Sequence, residues 1–174
     1  PLLQAGVMKM QHFADTVAWF GAGGLDLPMP MLLAILAIVA EVGGAIGLLF
    51  GLATRLSAFM LASTMLVAIV TVHWQHGWLA IADANSWLAN GTLFYDQTVM
   101  ASAEKLERAR SLLAEHGNYE WLTASGSFVV LNNGIEFAAT YLVMLLILCC
   151  QGCGAYLGLD YWIKRHLQRR GLVN

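Results

Sequence analysis

Charge is in short supply in this sequence. Lys and Arg number 9 and Asp and Glu 11, together 11% of 174 residues, whereas soluble domains carry roughly 25%. A chain of this length can bury a core in water, but so few charges cannot cover that core. The net charge is −2 and no basic run interleaves with aromatics, which argues against a nucleic-acid partner. Cysteine is scarcer still: Cys149, Cys150 and Cys153 stand together and nowhere else. Cys150-Gln-Gly-Cys153 has the spacing of a redox motif but no strand–helix context around it, so cysteine reads there as a small apolar side chain. The opening PLLQAGVMKMQHF lacks a basic leader and a small-residue cleavage site. It reads as a first helix cut short at its N-terminus, not as a signal peptide.

What is present is apolar. AVILMFWYC residues make up 59% of the chain, and mean hydropathy is +0.64. A membrane-spanning helix needs about 20 mostly apolar residues. Met29 to Ala53 provides one, interrupted by Glu41, and Leu56 to Trp74 a second, uncharged until His73. The link Ala53-Thr54-Arg55 makes these two a hairpin. Ile135 to Cys150 is a further span with Glu136 near its start, and Pro1 to His12 reads as the last turns of the truncated one. The expected fold is an all-α membrane protein: one domain over residues 1–174, a bundle of four transmembrane helices. A helical insertion outside the cytoplasm, residues 75–133, separates the third helix from the fourth.

Gly43, Gly47 and Gly51 recur every fourth residue, with Gly44 beside them, and predict close packing against Ala58, Ala62 and Ser63 of the next helix. In the insertion, Trp78, Trp87, Phe94 and Tyr95 favour the lipid–water boundary. Beyond them an amphipathic helix is expected, capped by Ser102, stopped at Gly117-Asn118 and striped by Leu106, Ala109, Leu112 and Leu113. Asn90-Gly91-Thr92 matches a glycosylation acceptor, a triplet too common to weigh. Arg55 and the tail Lys164, Arg165, Arg169 and Arg170 mark one side of the membrane. Basic residues close to span ends favour the cytoplasm. Both termini are therefore expected inside a bacterial plasma membrane crossed several times, with Arg55 pairing Asp160 there.

Lys9, Glu41, His73 and Glu136 are the ionisable residues inside or beside the spans. Glu41 lies about 12 residues into its helix, roughly 15–18 Å deep. A charge at that depth costs at least about 2.5–3.5 kcal/mol, so it must pair, stay protonated or serve a function; Lys9 is its natural partner. Two readings follow: a polar staple that orients the bundle, or a small catalytic cavity open to the outside. Histidine would add proton exchange near neutral pH. His73-Trp-Gln-His76 has helical metal-ligand spacing with Glu136 as a third ligand, but histidines at a membrane surface are more often interfacial, so no metal is expected.

The residues resemble the DoxX family of small bacterial membrane proteins. The resemblance lies in the order of GVMKMQHF (6–13), EVGGAIGLLFGLATR (41–55), TMLVAIVTVHWQHGW (64–78), NNGIEFAATY (132–141) and GCGAYLGLDYWI (152–163). Two features depart from it: the arginine-bearing start of the first helix is missing, and Gly158 stands where family members often carry serine before Leu-Asp. Cys150 and Cys153 lie outside the pattern. The resemblance implies a four-helix bundle. It also implies association with thiosulfate:quinone oxidoreduction, oxidative-stress complexes or modified-peptide pathways. The first functional reading is accordingly a redox-linked membrane subunit coupling an outer-face partner to quinone, with Glu41, His73 and Glu136 handling protons and Lys9 as charge partner. The sequence carries no haem, flavin or iron–sulfur ligand pattern. The alternative is a non-catalytic anchor that assembles other membrane or periplasmic subunits through the insertion. A small-molecule carrier ranks third, without internal repeats to support it.

Overall fold

Met29 turns the chain through a left-handed backbone conformation (φ 52°), and Pro30 follows at the first helical position, where its fixed φ suits a helix and its missing N–H is no loss. The helix that starts there, α3 below, runs without interruption to Phe50 and stops at Gly51, which takes the left-handed cap (φ 61°) that glycine adopts without strain. The computed structural model describes residues 1–152, 154 and 158–170. Among them the regular structure is helical, with isolated bridges Ile81–Leu131 and Asn90–Tyr95 in place of strands.

In chain order the helices are α1 (Leu2–Gln11), α2 (Phe13–Phe20), α3 (Pro30–Phe50), α4 (Thr54–His76), α5 (Gln97–His116), α6 (Tyr119–Thr123), α7 (Glu136–Gln151) and α8 (Leu159–Arg169). At 21 and 23 residues, with mean hydropathies of 2.4 and 1.9, α3 and α4 are long enough for a hydrocarbon layer about 30 Å thick. Only 22% and 28% of their most apolar stretches are buried. Leu32, Ile35, Leu36, Val39, Ile46 and Leu49 all face outward from α3. The core helix of a soluble protein would be mostly covered, whereas this exterior suits lipid. The apolar α7 is shorter, at 16 residues.

Two units divide the chain: Pro1–Val72 with Ala138–Asn174, and His73–Phe137. The first is built on the α3–α4 hairpin. Its core gathers Ala58, Leu61 and Ala62 of α4 around Leu145 of α7, with Leu2, Leu48 and Met65 against them. The glycine face differs from the expected one. A Cβ on Gly44 would lie 2.8 Å from Leu61 Cγ, and one on Gly47 would collide with Ser57 Oγ, while nothing lies within 4 Å of a Cβ on Gly43. Gly44 and Gly47 therefore form the contact surface, and Ser57 and Leu61 receive them. Gly51 is a turn residue whose Cβ would stand 2.5 Å from Gly158 Cα. A four-residue spacing ignores the drift of a 3.6-residue helix and its widened π turn at Val39–Gly43. The first helix also goes on past His12. The chain breaks there (φ −111°, ψ 49°) and resumes as α2, with Thr16 tied to the His12 carbonyl by backbone and side chain, both at 2.9 Å.

In the second unit, α5 starts earlier than expected. Asp96 caps it, accepting from the N–H groups of Thr98 (2.9 Å) and Val99 (3.2 Å). Ser102 lies buried inside the helix, its hydroxyl donating to the Val99 carbonyl. The covered face is accordingly Val99 and Ser102 with Leu106, Arg110 and Leu113 partly buried, and Ala109 and Leu112 point outward. The end at His116–Gly117 agrees with the sequence. Segments 77–82 and 130–136 clasp each other: Asn132 and Asn133 donate N–H groups to the Ala80 carbonyl at 3.0 Å, and the buried Asn132 amide donates to the His76 (2.6 Å) and Leu79 (2.8 Å) carbonyls.

Candidate functional site: a buried ion pair

Gly6 brings the first pair together. On α1, Gly6 and Lys9 are three residues apart and share a face. A Cβ on Gly6 would stand 2.8 Å from Val42 Cγ2 and 2.9 Å from Glu41 Cβ, so only glycine lets α1 lie this close to α3. Lys9 then reaches Glu41 directly, its Nζ donating to Oε1 at 2.7 Å and Oε2 at 2.6 Å. The Glu41 side chain is 5% exposed and that of Lys9 25%. Glu41 sits on the widened turn of α3, and such π turns often occur at functional positions. Lys9 stands in the last turn of α1, and α2 carries the chain on to Phe20.

His73 and Glu136 belong to the second unit, and both engage backbone. His73, the last residue of the π turn Ile69–His73, holds the Asn133 carbonyl with Nδ1 at 2.8 Å. A carbonyl only accepts, so Nδ1 carries a proton and donates it. The Glu136 carboxylate accepts the Ala80 N–H at 3.0 Å while the Glu136 N–H donates to the Trp78 carbonyl. His76 has the Gln75 amide 3.4 Å from its Nε2. Among the described residues no three His, Cys, Asp or Glu side chains are grouped as a metal ion would need, the set His73, His76 and Glu136 included.

Arg55 and Asp160 line one hollow in the first unit. The Arg55 guanidinium donates to the Cys150 carbonyl at 3.3 Å. The Asp160 carboxylate accepts from Ala53 N (2.7 Å), Thr54 N (2.9 Å) and the Thr54 hydroxyl (3.1 Å). It thus satisfies orphan N–H groups at the start of α4, where the helix dipole also favours an anion. Sequence reasoning missed Asn132, Asp96 and Thr54. The Asn132-Asn133-Gly134 run and Asp96 one residue ahead of a helix were the available signals. Cys149 and Cys150 are free thiols, and the Cys150–Cys153 spacing falls partly outside the described residues.

The DoxX family model matches residues 1–74. This stretch is similar to DoxX proteins. It holds Lys9, Glu41, His73, Arg55 and the glycines of α3, while Glu136 and Asp160 lie beyond it. No curated protein and no solved structure matches the chain. The DoxX match and the two apolar helices of bilayer length together support a membrane protein.

Proposed function

We propose that the chain is the integral-membrane subunit of a larger membrane assembly, anchoring or organising other subunits, and that Lys9–Glu41 holds its bundle together. The bundle in this reading has four spans: α1 with α2, then α3, α4 and α7. It sits in a bacterial inner membrane with both termini cytoplasmic and the 75–133 insertion on the outer face as docking surface. The observation that supports it is saturation of the polar groups. Lys9 meets both oxygens of Glu41, and Glu136 and His73 are committed to backbone groups. Groups that build the fold suit a scaffold better than groups waiting for substrate.

A second reading retains redox coupling between an outer-face partner and the quinone pool. One feature favours it: Glu41 and His73 each sit on a π turn, a geometry frequent at functional positions. Glu41→Gln separates the two. On the scaffold reading it leaves Lys9 buried without its anion and costs about 3–5 kcal/mol, whereas Lys9→Met with Glu41→Leu recovers most of the loss. Thermal melting of the purified chain in detergent reads both. An unchanged melting temperature in Glu41→Gln, with loss of quinone reduction in proteoliposomes, overturns the scaffold in favour of the redox subunit.

A further inference from the structure

The last helix carries a surface that neither reading uses. On α8, Leu159, Trp162, Ile163 and Leu167 recur at three- and four-residue spacing and form one face, which His166 shares. Leu159, Trp162 and Ile163 leave 44%, 51% and 46% of their surface uncovered. Lys164 and Arg165 stand off that face, Arg169 lies at its edge two turns beyond Trp162, and Arg170 is just past the end. The Arg165 guanidinium lies over the Trp162 ring, 5.6 Å from its centroid. The one acid of the helix, Asp160, has its carboxylate held at the start of α4, against four basic residues from Lys164 to Arg170. Its own N–H donates to the Gly51 carbonyl at 2.9 Å. The helix is thereby fastened, at its first turn, to the point where α3 ends and α4 begins. That is the end of two lipid-length helices, hence the level of a membrane surface.

We infer that α8 is a surface anchor that lies in an anionic lipid leaflet, its Leu159–Trp162–Ile163 face among acyl chains and its lysine and arginines against phosphate headgroups. A helix with a strong apolar face and a basic opposite face is the form that lies in an interface instead of crossing it. Each basic residue near an anionic surface adds attraction, and that attraction fades with salt. Trp162 under Arg165 suits the headgroup level, where aromatic rings concentrate. The inference needs the membrane setting but neither proposed role of the bundle.

The test uses the full chain with Cys149, Cys150 and Cys153 replaced by alanine, reconstituted into vesicles of phosphatidylcholine with or without phosphatidylglycerol. Spin labels are placed singly through Ile163→Cys and Gln168→Cys. The expected result is a label at 163 relaxed by oxygen from the lipid phase and a label at 168 relaxed by a water-soluble nickel reagent. In detergent, native mass spectrometry should find phosphatidylglycerol retained over phosphatidylcholine. That preference should fall on the order of tenfold or more when Lys164, Arg165, Arg169 and Arg170 all become glutamine. Raising the salt on the unaltered chain should have the same sense, independent of how the variant folds. Water access at both positions overturns the inference, because the helix then stands off the membrane. Exclusion of both reagents at 163 overturns it in favour of a protein partner on that face. Equal retention of the two lipids overturns the anionic preference.

Discussion

A single missing Cβ governs the polar pair. Gly6 lets α1 approach until Lys9 touches Glu41, so the ion pair depends on a residue that bears no charge. Gly6→Ala must push the helices apart or displace Val42, and overpacking of this kind costs about 1–3 kcal/mol. It should also lengthen the Lys9–Glu41 contact. The expected outcome is a lower melting temperature in detergent, with little further loss when Glu41→Gln is added, since the two changes act on one contact. Fully additive losses would show that Gly6 and the ion pair are independent. The identity of the pair was legible in the sequence, because a carboxylate so deep in an apolar helix demands a cation and Lys9 was available. The role of Gly6 was not. A lone glycine in a short apolar segment signals nothing until the neighbouring helix is known.

Among elements, the α3–α4 hairpin offers the sharpest comparison. A period of four residues placed Gly43, Gly47 and Gly51 on the packing face, and the structure uses Gly44 and Gly47. Gly43→Ala should therefore be neutral or stabilising by about 0.5–1 kcal/mol, since alanine is the better helix former. Gly44→Ala drives a methyl toward Leu61 and should destabilise. Melting temperatures of the two purified variants decide the matter: a greater loss in Gly43→Ala would restore the original face. The same error of phase affected α5. Choosing Ser102 as cap set the helix start six residues late and put Ala109 and Leu112 on the covered face. Asp96 supplies the cap, because a carboxylate satisfies two N–H groups at once.

For the whole molecule, the sidedness of the membrane is the testable quantity. With the native cysteines replaced, the exposed Glu107→Cys should react with a membrane-impermeant maleimide added outside intact cells, and Gln168→Cys should react only after lysis. Ser102 is unsuitable for the purpose, being 4% exposed. The reverse labelling pattern would invert the proposed topology and with it the docking role of the insertion. This arrangement rests on where Arg55 and the tail from Lys164 to Arg170 stand relative to the apolar helices, a property of charge placement along the chain.

The sequence by itself determined the solvent. Too few charges, two apolar runs of bilayer length and a short link between them force a helical hairpin in lipid, because backbone groups there must be satisfied within each helix. It also determined that Glu41 needs a partner. The tertiary structure alone decided which glycines touch α4, that α1 and α2 continue past His12, and that Asp160 closes the start of α4 while Arg55 serves the Cys150 carbonyl. These outcomes turn on contacts between segments up to 107 residues apart, where helical phase and backbone approach vary by fractions of a turn. Composition and spacing report what a segment must bury, but not which neighbour will bury it.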